Sequence, residues 1–168
     1  MKYFLKTLMS VMAVALIFGL VSCSKDEDKT PTAPEMAAGT YACTVTSSVP
    51  SYKYTADPVS GSATVVAASA TAVDLKLTAF DVTIKAMMGT TPIEKTITIG
   101  EIYLKNITAT AANNVVTLDL ADFSCQAGDY EISHAKGTCT ITNGKIDLAM
   151  NYKPGSMPFE VQTTFISK

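Results

Sequence analysis

From Tyr41 to the C-terminus, apolar residues return at every second position. Tyr41, Cys43 and Val45 alternate with Ala42, Thr44 and Thr46. Val73, Leu75 and Leu77 alternate with Asp74, Lys76 and Thr78, and Phe80, Val82 and Ile84 with Asp81, Thr83 and Lys85. Ile97 and Ile99, then Ile102 and Leu104, then Val116, Leu118 and Leu120 carry the pattern on. Successive side chains of an extended chain point to opposite faces, so each run reads as a strand with one face for a core and one for water. After Cys23 no stretch shows a convincing helical period. The many Thr and Val residues suit half-buried pleated strands better than helices.

The breaks between runs set the connections. Ser47 to Gly61 reads as a turn-rich loop before a strand over Ser62 to Ala67. The apolar phase slips at Ala79-Phe80 and again at Gly100, as a bulge or sharp bend requires. Met87-Met88-Gly89-Thr90-Thr91-Pro92 interrupts the alternation, and Ala111-Ala112-Asn113-Asn114 reads as a turn. Asp122 to Lys136 is the least regular stretch, with Gly128 its expected turn. Thr138 to Thr142 meets Lys145 to Tyr152 across Asn143-Gly144, a strong two-residue hairpin signal. Lys153 to Ser156 turns the chain into a last strand carrying Phe159, Val161, Thr163 and Phe165. About eight to ten short antiparallel strands with frequent turns mean a sandwich or a barrel. An up-and-down meander closes naturally and loses both exposed edges, so the expected fold is all-β, an antiparallel up-and-down barrel. Its expected inward set is Tyr41, Cys43, Leu75, Leu77, Leu118, Leu148, Met150, Val161 and Phe165.

The N-terminus has a different character. Lys2 and Lys6 precede the apolar run Leu8 to Leu20, and small residues lead to Cys23, the order of a secretory signal. The charged run Ser24 to Lys29 follows at once, so a cleaved leader is expected rather than a spanning helix. Leu20-Val21-Ser22-Cys23 resembles a bacterial lipobox, and that resemblance implies lipidation of the Cys23 sulfur. More than one acyl chain makes such an anchor stable. The expected organisation is a signal peptide over 1–22, a lipidated linker over 23–38 made extended by Pro31 and Pro34, and a folded domain over 39–168. The expected location is the outer membrane, lipid-anchored. The charged run after Cys23 resembles an export tag for the cell surface, and reads equally as a solvated spacer.

Several function classes are disfavoured. The formal net charge is −2, every basic residue is Lys, and Trp is 0. Without guanidinium forks or a basic patch, nucleic-acid binding is not expected. Cys43, Cys125 and Cys139 remain beyond the anchor. They read either as one disulfide plus a free thiol or as three reduced residues serving as small hydrophobes, and their spacing fits no zinc pattern. No metal or cofactor is expected. His134, with Asp129 and Glu131 nearby in sequence, lacks a nucleophile in a recognisable motif. Asp119, Asp122 and Asp129 lack the calcium-loop spacing. Catalysis is therefore not expected. For binding, Met87 and Met88 stand out because Met adapts to varied apolar partners, and Tyr52 and Tyr54 could form a contact patch.

Gly39-Thr40-Tyr41, the run Val73 to Phe80, the Ile99-Gly100-Glu101-Ile102 step and the Asn143-Gly144-Lys145-Ile146 hairpin share a further property. Together with the closing Phe-containing strand they resemble the calycin-like β-barrel domain of cell-envelope lipoproteins, over Gly39 to Lys168. The resemblance implies lipocalin-like topology and carries no catalytic residues. The expected function is a monomeric, non-catalytic binding module for a small apolar ligand or a partner protein of envelope or host. The alternative is a surface lipoprotein with a filled barrel and no small-molecule ligand.

Overall fold

The computed structural model describes residues 30–88 and 91–167, and the side chains of residues 86–93 lie outside that description. Eleven strands follow a short helix, α1 (Ala33–Ala37). They are β1 (Gly39–Val49), β2 (Tyr54–Thr55), β3 (Val59–Ala67), β4 (Ala72–Leu77), β5 (Phe80–Met88) and β6 (Thr91–Ile99). Then come β7 (Ile102–Ala112), β8 (Val115–Ala127), β9 (Tyr130–Thr142), β10 (Lys145–Pro154) and β11 (Val161–Ser167).

Eight of these strands form a closed antiparallel barrel in the order β1-β3-β4-β7-β8-β9-β10-β11, and β11 pairs back onto β1. The closing ladder runs from Cys43↔Ser167 to Ser48↔Gln162. β2 adds a short strip beside the end of β1, and β5 and β6 pair only with each other. The expected all-β up-and-down barrel is the observed fold.

The alternation in sequence becomes inside and outside. All nine residues of the expected inward set are buried. Val45, Val65, Val73, Ile132, Cys139, Ile141, Ile146 and Tyr152 join them in one continuous apolar cluster. Outward neighbours such as Thr117, Asp119, Lys145 and Asp147 are exposed. The wall is thus polar outside and apolar inside, the pattern of a barrel standing in water.

Both ends are covered. Antiparallel order places the Asn113-Asn114 and Asn143-Gly144 turns at one end with α1, which lies against β3, β4, β7 and β8. Asn143 and Gly144 both have positive φ, as the tight hairpin turn demands. Ala37 and Pro34 of α1 are buried, and the Tyr41 hydroxyl donates to the Ala37 carbonyl at 2.6 Å. This corrects the expected extended spacer: residues 33–37 are helical, and the packed part starts before Gly39. Thr32 and Glu35 start the helix reciprocally, with the Thr32 N–H 2.7 Å and its hydroxyl 2.9 Å from the Glu35 carboxylate. The expected signal peptide over 1–22 and the linker up to 29 lie outside the described residues.

At the other end, the β5–β6 hairpin covers the mouth. Phe80, Val82, Ile84, Ile97 and Ile99 form its buried face, and the Phe80 ring meets Phe165 edge-on at 5.4 Å. Its outer face is knit across the pair, with Thr98 donating to Asp81 at 2.6 Å and Thr83 beside Thr96 at 3.0 Å. The two phase slips therefore mark where the chain leaves the barrel after Leu77 and rejoins it at Ile102, rather than bulges within it. Gly100 is needed at the return: a Cβ there would collide with the backbone of Gly128, and its N–H donates to Ala127 at 3.1 Å.

Other expectations change in detail. The supposed loop from Ser47 is strand as far as Val49, and β3 begins at Val59. The irregular stretch Asp122 to Lys136 belongs to two 13-residue strands joined at Gly128. Their bulges carry Asp122 and His134 at positive φ and account for the broken alternation. Phe159 precedes the last strand and packs in the loop before it.

One polar chain crosses the otherwise apolar interior. Thr163 lies 2.9 Å from the Ser47 hydroxyl and 3.1 Å from the Tyr152 hydroxyl, all three buried. Replacing Thr163→Val keeps the shape but strips both neighbours of a partner. The expected result is a loss of about 1–3 kcal/mol in urea unfolding, with the unfolding slope unchanged. A variant as stable as the parent would show that these hydroxyls are satisfied some other way.

Candidate functional site

The interior offers little ionisable chemistry. Cys43 and Cys139 face inward and are buried, Cys125 is partly buried, and all three are free thiols. Burial, then the nearby charges of Asp147 and Cys43, push the Cys139 thiol up to about 12. Burial also raises Cys43 and Tyr41. Such thiols are poor nucleophiles and act as small apolar side chains.

The residues expected to bind gather at the hairpin end. Tyr52 closes a short turn (Pro50–Tyr52) after β1, is 42% exposed, and meets Phe159 edge-on at 5.6 Å. Tyr54 is half-buried, with the Lys85 ammonium 5.6 Å from its ring centre. Lys85 also pairs with Glu94 at 3.5 Å across the hairpin. The two tyrosines therefore sit in one aromatic rim built from the segments following β1 and β10. β5 runs through Met88 and β6 starts at Thr91, with Met87 pairing with Pro92 and Met88 with Thr91, so the expected break narrows to Gly89-Thr90, which lie outside the described residues. Their side chains lie outside the described residues, as does Cys23.

A second cluster, which the sequence reading missed, lies on the outer wall. β7 carries an extra residue opposite Asp74, and Asn106 at that bulge has positive φ. Asp74 accepts the Asn106 N–H at 2.9 Å and the Tyr103 hydroxyl at 2.9 Å. These two hydrogen bonds hold its carboxyl below the usual range, the backbone N–H first. Tyr103 is 48% exposed, and the Lys105 ammonium lies 5.1 Å from its ring centre. Lys76 pairs with Glu101 at 2.9 Å beside it. Shallow clefts of about 390 Å³ lie on either side of Tyr103. The one toward β8 arises because the β7–β8 ladder spans only Ala109–Ala112 with Val115–Leu118, and bulges in both strands then spread the wall. Asp and Tyr separated by 29 positions leave no local signal, but the β-bulge could have been sought at the Lys105-Asn106 step.

The acid–base candidates are dispersed. His134 is exposed on the β9 bulge, Asp129 and Glu131 are exposed around the β8–β9 turn, and Asp119 accepts the Ala121 N–H at 3.2 Å. Among the described residues, no three His, Cys, Asp or Glu side chains converge on one point.

The raised thiols make the barrel sensitive to alkali. The unfolded chain loses the Cys139 proton near pH 9 whereas the folded chain keeps it to about 12. The folded state then binds the extra proton, so stability is intact below pH 9 and falls as pH rises. The expected slope is about 1.4 kcal/mol per pH unit for this one group. Urea midpoints measured across that window check it, and Cys139→Ala should flatten the fall.

A crystal structure of a proposed outer membrane protein from Bacteroides fragilis is similar, with a TM-score of 0.66 at 16% identity over 83% of this chain. The chain spans about half of that protein, 54% of its length, so the likeness is one of fold. No curated protein sequence matches the chain. The calycin-like β-barrel domain matches residues 37–168, almost the whole of the packed part. The chain belongs to the calycin-like β-barrel domain family.

Proposed function

We propose that the chain is a non-catalytic interaction module of the cell envelope. It is held by lipid on Cys23, and it engages a partner protein through its outer surface at the hairpin end. The observation carrying this reading is the filled interior: inward side chains from every barrel strand pack as one cluster, and α1 and the β5–β6 hairpin cover the two ends. An eight-stranded barrel is just wide enough to be filled by its own side chains or to hold one small ligand. Here Tyr152, Phe165, Leu75, Leu77, Leu118 and Leu148 take that space.

The exposed Tyr52 ring, set edge-on against the half-buried Phe159, supports a protein partner, because aromatic side chains supply large contact area at low conformational cost. The outer wall supports the tether. A barrel standing in a bilayer shows an apolar band to lipid, whereas Thr117, Asp119, Lys145 and Asp147 point outward from this one. Attachment then falls to the N-terminal segment, in keeping with the outer-membrane setting proposed for the similar structure.

Native mass spectrometry of protein purified from its own envelope tests both parts. The expected species begins at a lipidated Cys23 and carries no small molecule. A stoichiometric co-purifying ligand would overturn the solid interior, and an unmodified sulfur at position 23 would overturn the tether.

A further inference from the structure

The barrel strands and the β5–β6 hairpin are held by different forces. Each strand of the barrel is hydrogen-bonded along both edges, by β1–β11 at the seam and by its meander neighbours elsewhere. None can leave without breaking two ladders. The hairpin pairs only with itself. Its cross-strand contacts, Asp81 with Thr98, Thr83 with Thr96 and Lys85 with Glu94, are all internal. Toward the barrel it offers Phe80, Val82, Ile84, Ile97 and Ile99, and this packing has no ladder behind it.

The hydrogen bonds that fasten it sit at its two roots. Thr78 donates its N–H to Ser62 at 3.0 Å and accepts the Ser62 N–H on its hydroxyl at 2.9 Å. Gly100 donates to Ala127 at 3.1 Å. Beyond the roots, among the described residues, only the Lys85 ammonium over the Tyr54 ring adds a polar contact to the rest of the molecule. Swinging about Thr78-Ala79 and Gly100-Glu101 would keep the root bonds and every internal pair, and would lose the apolar contacts and the Lys85–Tyr54 contact.

From this we propose that β5–β6 is a flap: it opens as one unit, internally paired, while the eight-stranded wall stays closed. Opening uncovers the mouth at Phe165 and draws Lys85 away from Tyr54, so the flap's position sets both access to the interior and the shape of the aromatic rim. The inference does not need the partner reading above; it follows from which hydrogen bonds exist.

NMR exchange measurements on flap methyl groups, set against native-state amide exchange of the barrel, test it. Amides of Asp81–Lys85 and Thr96–Ile99 that point into the hairpin pair keep their hydrogen bonds during opening, so the informative readout lies in the side chains that face the barrel. Side-chain methyl environments of Val82, Ile84, Ile97 and Ile99 should report an opening at least about tenfold more populated than the opening that amide exchange reads in β9 and β10. Its urea dependence should be shallower, because little surface is exposed. Phe80→Ala should raise the flap opening and leave exchange in β9 and β10 unchanged. A single rate and urea slope shared by flap and barrel would overturn the proposal. So would Phe80→Ala loosening β9 and β10 in step with the flap.

Discussion

The structure depends on the seam between the first and last strands. Cys43 to Ser48 of β1 pair with Ser167 to Gln162 of β11. Without that ladder the meander would be an open sheet with two long, unpaired edges. With it, every strand of the ring has a hydrogen-bonded neighbour on both sides, and one face of each turns inward. The seam joins residues more than a hundred positions apart, so the entropy of loop closure weighs against it. Two buried features sit on it. Val45 and Phe165 fill the interior beside Gly61, where a Cβ would meet the Val45 side chain, and Ser47 meets Thr163. Closure therefore brings apolar packing and a polar contact together at one place.

A closed ring of eight strands has a fixed bore, and this chain fills it. The inward side chains are mostly branched aliphatics, with Tyr152 and Phe165 as the largest wholly buried groups. Where polar atoms enter, they are paired: among the described residues no buried side-chain oxygen or nitrogen lacks a hydrogen-bond partner. The cysteines fit the same logic. Cys43 donates its thiol to the Tyr41 carbonyl at 3.3 Å, and Cys139 is wholly buried. Burial favours the neutral thiol in both, which makes them packing residues rather than reactive ones.

Much of this was legible before any coordinates. Period-two alternation needs only the pleat, so strand identity, inward set and barrel class could all be read from residues such as Val73 to Thr78. The Asn143-Gly144 turn was equally local. What escaped the reading was non-local or ambiguous in sign. A slip of phase says that the chain changes face; it does not say whether it bulges within a sheet or leaves it. At Ala79 and Gly100 it leaves. The bulges around Asp122 and His134 hid two long strands for the same reason. The capping-box spacing of Thr32 and Glu35 is a local signal for a helix start that the expectation of an extended, proline-bearing linker left unused. For the candidate site, Tyr52 is exposed, as a contact residue has to be, while Phe159, its partner, lies ahead of the strand in which the alternation places it. The Asp74–Tyr103 contact depends on register between β4 and β7, which no local pattern states.

The division between ladder and packing gives the molecule two mechanical grades from one kind of secondary structure. A β-ladder is a row of directional bonds, so strands bonded on both edges share one cooperative unit. Apolar packing has no direction and tolerates sliding or separation as long as area is conserved elsewhere. The chain sends its meander through the first arrangement and diverts a single hairpin, between Leu77 and Ile102, into the second. It also places the exposed aromatic rim at that end, and puts the capped helix, whose Ala37 carbonyl is tied to Tyr41, at the other.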